Sequence, residues 1–460
     1  MLRIEYLEIC DTLKHIIEGT KYEGNIYVVG GAVRDYVMGN DINDIDIVVS
    51  LPNGGNEFSN YLFENCYLTN EPVIYPTYGT SMFKLKKYPN VEIEAVQTRK
   101  EQYNDKNQET EYGTLYEDAI HRDLTINALY YDVTNKIIID VTNKGLDDIS
   151  NKVIKVTSSP NIVFSDDPLR ILRVISFASR YNWQIAKDTF DGMLANVNKL
   201  EIITKERIRD ELNKMLLYDK PSVALEYIKE IGAMRYVIPE LIETYELKQN
   251  VYHDFNTVWG HTLMTVDNSK PYLEVRVSAL LHDIGKIKTK LVDDYGKVHF
   301  YGHEKESAKM SESILKRLKY SNDFTKTVKE MIYCHMLIKN WGDDLRYMKS
   351  KVLHRYEYWW GNNFYKILDL IDADNKSHGK MYCLPNQVDE ILKAEKKYQE
   401  NDESLIGYKL PVNGNDVMET LGMQPSIKVN ECLQWLLKFA FNNPKITREE
   451  LLKNLKHYKL

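Results

Sequence analysis

Residues 27–50, YVVGGAVRDYVMGNDINDIDIVVS, leave a folding chain few choices. Val28 and Val29 run into Gly30-Gly31, a short helical pattern from Ala32 to Met38 follows, and Gly39 closes it. In the strand that comes next, Asp44 and Asp46 are separated by Ile45, and a period of two puts both on one face. Neighbouring carboxylates repel, so a fold that keeps both ionised needs positive charge between them. A hard divalent cation with oxygen ligands meets that need, and Mg²⁺ shared with substrate phosphates fits best. Gly30-Gly31 supplies a turn free of Cβ atoms where a helix begins, and the first N–H groups of a helix can receive phosphate. Taken singly, the two halves read as an ordinary glycine turn and a solvated acidic strand. Joined through Arg34-Asp35, they read as a metal- and phosphate-handling unit.

The chain has 460 residues, too many for one ordinary core, and two to four domains are expected. No apolar run is long enough to span a bilayer, and Met1–Cys10 lacks a signal-peptide pattern. Cys10, Cys66, Cys334, Cys383 and Cys432 are scattered without any C-x-x-C spacing, which suggests free thiols in a reducing, cytoplasmic setting. The net charge of −7 disfavours a nucleic-acid partner, but it is unevenly spread. Residues 1–150 hold 13 Lys/Arg against 25 Asp/Glu, so the remainder is net positive. Any RNA would be held mainly by that remainder.

The stretch from Gly30 to Asp46 resembles the GG-x-V-R-D…D-x-D signature of class II nucleotidyltransferases, the CCA-adding enzymes and bacterial poly(A) polymerases. The resemblance implies a small mixed-sheet head in which Asp44 and Asp46 hold two metals. Within VEIEAVQTR, Glu92 and Glu94 share a face; the pattern Glu94…Arg99-x-Glu101-x-Tyr103 resembles the family's third acidic position and selects Glu94. His121-Arg122-Asp123-Leu124-Thr125-Ile126-Asn127-Ala128 matches the family's R-R-D-x-T-x-N-A except at His121, where a permanent charge is lost. By resemblance Arg122, Asp123 and Asn127 contact the triphosphate and ribose of the incoming nucleotide, beside Gly30, Gly31 and Arg34.

Further on, Asp166-Asp167-Pro168-Leu169-Arg170 reads as the start of a helix with Asp166 as N-cap and Pro168 in its first turn. Asp167 and Arg170, three apart, would then share one helical face. In the family this element, with Arg173 nearby, selects CTP and ATP by their base edges; the plain alternative is a surface ion pair. Lys205–Leu212 continues as a neck helix.

Residues 251–380 carry a second constellation: His261, His282-Asp283, His303, His335 and Asp374, mostly in apolar helical surroundings where an unpaired polar group is costly to bury. The order H…HD…H…H…D resembles the HD phosphohydrolase superfamily. It implies a helical bundle holding one or two metals, with Mn²⁺, Fe²⁺, Co²⁺ or Ni²⁺ suited to the His and carboxylate donors. Leu410–Met418 and Val429–Phe441 resemble the C-terminal segment of HD-bearing bacterial CCA-adding enzymes, and residues 425–460 hold 7 Lys/Arg against 3 Glu.

The expectation is therefore a multidomain α+β protein. A mixed-sheet nucleotidyltransferase head (1–150) would be followed by an all-helical neck (151–224), an HD bundle (225–385) and a helical tRNA-binding C-terminal body (386–460). The function implied is template-independent CCA addition to the tRNA 3′ end from CTP and ATP, with Mg²⁺ in the head and a second phosphohydrolase activity in the HD bundle. A poly(A) polymerase, a partial CC- or A-adding enzyme, and an HD phosphohydrolase acting on RNA ends are the alternatives. No membrane partner is expected, and the oligomeric state stays open.

Overall fold

The computed structural model describes residues 3–76, 79–104, 107–249, 257–343, 345, 348–379 and 383–458, without the side chains of residues 3–4, 101–110 and Asn340. The Glu101 and Tyr103 side chains of the sequence pattern thus lie outside the described residues. The chain forms two compact units, residues 1–215 with 226–236 and residues 216–225 with 237–460. Among the described residues no helix is long and apolar enough to cross a membrane, and all five cysteines are free thiols.

The first unit is built on nine strands: β1 (Ile26–Val29), β2 (Ile45–Val49), β3 (Val73–Tyr75), β4 (Thr80–Phe83), β5 (Ile93–Gln97), β6 (Arg99–Asn104), β7 (Asn107–Tyr112), β8 (Leu129–Asp132) and β9 (Ile137–Asp140). Seven of them form one sheet in the order β3-β4-β5-β2-β1-β8-β9, and β6 and β7 pair separately. The β2–β5 ladder is parallel and the other neighbours in the sheet are antiparallel, so the sheet is mixed. One sheet face packs on the Arg3–Ile17 helix through Tyr6, Ile9, Leu13 and Ile17, all fully buried. Alternation then leaves Asp46 and Glu94 on the open face while Ile45, Ile47 and Ile93 face the core.

After the sheet the unit continues as helices, interrupted by one short parallel ladder, Val153–Ile154 beside Gln184–Ile185. The neck is therefore helical but not wholly so. Its first helices also differ from expectation. Pro160–Asp166 is one helix and Arg170–Tyr181 the next, with Asp167 extended between them at φ −147°, ψ 102°. The cause is Pro168, whose ring excludes the preceding residue from the helical region. Asp166 thus ends a helix instead of capping one, and Asp167 and Arg170 do not share a helical face. Asp167 Oδ1 accepts from the Leu169 amide at 3.1 Å in the turn that leads into the second helix.

The second unit is helical, with one two-stranded hairpin, Leu291–Val292 against Val298–His299. Helices Val258–Asn268, Leu273–Leu281, His303–Arg317, Asn322–Cys334 and Phe364–Lys376 carry or immediately precede the five His/Asp segments read from the sequence. Towards the C-terminus Val417, Cys432, Leu436, Leu451 and Leu455 form a small core of their own.

Candidate functional sites

The head site begins with register. Asp46 on β2 lies directly beside Glu94 on β5, and Asp44 sits just before β2. Proximity to Glu94 and Asp44 has a measurable consequence. The Asp46 carboxyl is pushed up to about 6, first by the sheet that walls off part of its solvent and then by Glu94, with Arg122 opposing. Among the described residues, the sets of three ligand atoms within 4.8 Å of one another all lie in the second unit. Asp46 and Glu94 are register partners and Asp44 is near enough to act on Asp46, but the three do not form such a set.

Gly30 adjoins them. Its φ of 72° and ψ of −131° belong to a region open to glycine, and a Cβ there would stand 3.7 Å from Arg122 Nη1 and 3.9 Å from Asp46 Oδ2. Arg122 is delivered by the Leu115–Ile120 helix, which starts on a Thr114/Glu117 capping box. Its Nε and Nη2 lie 3.0 and 2.9 Å from Asp118 Oδ2, and Tyr130 donates to the same oxygen at 2.6 Å. This leaves the guanidinium anchored on one side and facing Gly30 on the other.

The other nucleotide-site candidates form a chain of charge-assisted bonds. Arg34 grips Asp35 through two nitrogens, at 3.0 and 2.8 Å, and donates Nη1 to Asn127 Oδ1 at 2.6 Å. Asn127 donates to Asp123 Oδ1 at 3.0 Å, and Arg173 clamps Asp123 Oδ2 at 2.9 and 2.6 Å. Against the cost of burial, Arg173 and the Asn127 amide hold the Asp123 carboxyl below its usual range. Arg170 points elsewhere: Nη2 donates to the His121 carbonyl at 2.6 Å and Nη1 to the Val163 carbonyl at 3.3 Å. Asp167 Oδ2 accepts from Arg207 at 2.6 Å. His121 Nδ1 lies 3.3 Å from Asp166 Oδ2.

In the second unit the imidazoles are sorted by their other nitrogen. The Nδ1 atoms of His261, His282, His303, His335 and His378 meet the carbonyls of Ser377, Ala279, Phe300, Ile332 and Asp374 at 3.2, 2.8, 2.8, 2.5 and 2.7 Å. A carbonyl only accepts, so in the neutral rings each Nδ1 holds the proton and each Nε2 keeps a lone pair. His261 Nε2 and His282 Nε2 stand 3.3 Å apart, and His261 Nε2 is 3.0 Å from Asp374 Oδ1. Asp283 Oδ2 lies 3.3 Å from His282 Nε2 and 3.6 Å from His261 Nε2, while its Oδ1 lies 3.3 Å from His303 Nε2. Fully buried His335 Nε2 has no hydrogen-bond partner. Lone pairs this close, with an orphaned buried nitrogen beside them, fit a divalent metal and little else. Asp283 belongs to both the His261/His282 set and the His303/His335 set, so it would serve either metal if two were held.

Gly285 makes this convergence possible: a Cβ there would meet Ser307 N at 2.4 Å and His303 O at 2.5 Å, so the His303 helix could not approach. The electrostatics agree. Despite burial, surrounding histidines and lysines hold Asp283 and Asp374 well below the carboxylate range. Burial pushes His261, His303 and His335 down, and His378 down to about 4, whereas the Asp283 carboxylate outweighs burial and raises His282.

All six HD residues named from the sequence come together, and three further side chains join them. His378 forms a third possible triad with His261 and Asp374. Lys286 Nζ lies 2.6 Å from Asp283 Oδ2, and Lys339 Nζ 2.5 Å from Asp374 Oδ2. Spacing held a faint signal, Asp374 to His378 and His335 to Lys339 each being one helical step of four. A pocket of about 230 Å³ opens on the cluster, bordered by Phe300, Tyr301 and Met336.

Comparison with known proteins agrees with this layout. Residues 26–155 match the Poly A polymerase head domain, 182–244 the "Probable RNA and SrmB- binding site of polymerase A" and 258–372 the HD domain. The multifunctional CCA protein of Janthinobacterium sp. is 30% identical over 65% of this chain and 69% of its own length. That of Herminiimonas arsenicoxydans is 32% identical over 65% and 70%. The chain belongs to the CCA-adding enzyme family. The fold of a Bacillus stearothermophilus CCA-adding enzyme, solved with CTP, follows 99% of this chain and 96% of its own at a TM-score of 0.70 and 20% identity. A Thermotoga maritima CCA-adding enzyme in complex with tRNA follows 98% and 95% at 0.59 and 19% identity. Both structures share the fold of this chain.

Proposed function

We propose that this chain adds C, C and A to the 3′ end of tRNA, using CTP and ATP and releasing pyrophosphate. The observation that carries the reading is the Asp46–Glu94 register beside the Gly30 turn and Arg122. Asp44 and Asp46 are the residues to hold Mg²⁺, with Glu94 supporting Asp46. Bound there, Mg²⁺ supplies activation of the tRNA 3′-hydroxyl and neutralisation of charge on the departing pyrophosphate. Burial first and then Glu94 raise the Asp46 carboxyl, and a divalent cation beside it would favour the ionised form.

The remaining roles follow from what each side chain is free to do. Gly30 and Gly31 open the Gly31–Met38 helix and suit phosphate oxygens. Arg122, anchored by Asp118, suits the triphosphate charge. Arg34 orients Asn127, and Arg173 orients Asp123, so these four set one rigid wall for the ribose and phosphates. Asp167 and Arg170 remain the candidates for base selection, and to read a base edge they have to release Arg207 and the two backbone carbonyls.

For the second unit the fitting activity is hydrolysis of 2′,3′-cyclic or terminal phosphates at RNA ends. Its ligands are His261, His282, Asp283, His303, His335 and Asp374, with a metal of the Mn²⁺, Fe²⁺, Co²⁺ or Ni²⁺ type. Such a metal supplies an activated water; Lys286 and Lys339 supply positive charge to a phosphate.

Incubating the protein with tRNA lacking CCA and singly labelled nucleotides, then sequencing the ends, tests the main reading. Wild type is expected to add CCA, and Asp46→Ala and Asp44→Ala to lose addition while still binding tRNA. More than a few per cent of wild-type addition by both variants would overturn the metal assignment.

A further inference from the structure

The Ser350–Trp360 and Ile427–Asn442 helices of the second unit border a groove of about 510 Å³, lined by none of the His/Asp cluster. Each helix presents a ladder at four-residue spacing, Lys351, Arg355 and Trp359 on one, Gln434, Lys438 and Asn442 on the other. Positions four apart stack on one helical face, so each ladder is about 12 Å long. Val352 and Phe441 complete the lining, and no carboxylate takes part. Among the described residues, none of the three cations has a carboxylate within ion-pair distance. The acids on these helices face elsewhere: Glu357 accepts from the Leu405 amide, and Glu431 neighbours Cys432 and Tyr458.

Two details bear on a ligand. Arg355 Nε is shut off from solvent with no acceptor, so a phosphate could meet only the terminal nitrogens of its fork. Its guanidinium also lies 4.9 Å from the ring centroid of Trp359, whose indole is 51% exposed. The groove is pre-set, since His354 Nδ1 lies 3.0 Å from the Phe441 carbonyl and ties one helix to the other.

We propose that this groove is a binding site for an RNA backbone segment, with Lys351, Arg355 and Lys438 on successive phosphates and Trp359 stacked on a base. Cations repeated along a groove beside an open aromatic face are what a nucleic-acid strand requires. A single phosphate or mononucleotide would engage one rung and leave the others unexplained. The site rests on the reading of this protein as a tRNA-modifying enzyme, and it gives the acidic chain a cationic surface on which to grip RNA.

The test measures tRNA binding by full-length protein across a salt series, together with steady-state CCA addition. The variants are Lys351→Glu/Lys438→Glu and Trp359→Ala, with folding checked by circular dichroism. The double reversal is expected to raise both the Kd and the KM for tRNA at least about tenfold and to flatten the slope of log affinity against log salt by about 2. The KM for CTP and the kcat at saturating tRNA are expected to hold. Trp359→Ala should weaken binding with the salt slope unchanged. Unchanged tRNA affinity and slope in the double variant would overturn the site, as would displacement of tRNA by AMP alone at the same groove. If wild type binds tRNA in this way but adds no nucleotide, the groove stands and the activity assignment falls.

Discussion

An imidazole offers a metal one lone pair, and the bond made by its second nitrogen decides which. In this protein five backbone carbonyls make that choice in the same sense, leaving five Nε2 atoms around two carboxylates. The same site holds its own competitors. The Lys286 and Lys339 ammonium groups sit on Asp283 and Asp374, the very acids a metal would use. Two divalent ions added to two carboxylates and two ammonium groups leave a large positive excess, which a bound phosphate offsets. Lys339→Met is therefore expected to raise affinity for Mn²⁺ or Ni²⁺ by about ten- to hundredfold, since a nearby like charge is removed. Calorimetric titration of metal-stripped protein measures it. Equal or weaker binding in the variant would show that Lys339 instead orients Asp374.

At the scale of elements, legibility followed how local each cause is. Two carboxylates on one strand, and a glycine turn before a short helix, depend on backbone period and on φ, both written in neighbouring residues. Periodicity alone leaves Glu92 and Glu94 equivalent and only the family resemblance selects Glu94; the β2–β5 register, which no single strand shows, places Glu94 beside Asp46. For His378 and Lys339 the four-residue spacing from Asp374 and His335 was too faint to use, because their meaning appears only when helices distant in sequence converge. Pro168 was read as a residue that starts a helix, when its stronger effect falls on Asp167 before it. That displacement bears on Arg170, a buried cation whose fork holds two carbonyls. Arg170→Ala is expected to lower selection of CTP and ATP over GTP and UTP; a loss of stability with selection intact would make it a bracket between His121 and Val163.

A further element carries a pH signature. Glu357 is fully buried in the Ser350–Trp360 helix, and burial first, then Glu395, pushes its carboxyl up to about 7. A carboxyl whose folded value lies above its unfolded value binds protons preferentially in the folded state. Its contribution is complete below the ordinary 4.5 and is lost as pH rises through about 7, on the order of 2 kcal/mol. Thermal melts of wild type should therefore fall between pH 5 and pH 8. Glu357→Gln, which retains an acceptor for the Leu405 amide, should flatten that fall, and an identical pH profile would refute the assignment.

For the whole molecule, the proposed reading puts two phosphate chemistries on one chain, each with its own unit and its own acids. The head would offer carboxylate oxygens alone, which suit Mg²⁺; the second unit surrounds two carboxylates with imidazoles, which suit a transition metal. A 3′ end blocked by a phosphate gives the head no hydroxyl to extend, so a hydrolase that clears such ends would feed the transferase. Reciprocal variants test that division of labour. Asp283→Ala removes the one carboxylate shared by the two His sets and should abolish hydrolysis of 2′,3′-cyclic and terminal phosphates, together with most transition-metal binding. It should leave CCA addition to an unblocked tRNA close to wild type. Asp46→Ala should do the reverse. On tRNA ending in a 2′,3′-cyclic phosphate, neither variant alone should yield a CCA end, whereas a mixture of the two should, since the cleared tRNA can pass between molecules. Wild-type addition to the cyclic end by Asp283→Ala would show that the second unit is not the clearing enzyme. Absence of hydrolysis by metal-loaded wild type would make the His/Asp cluster a structural metal centre.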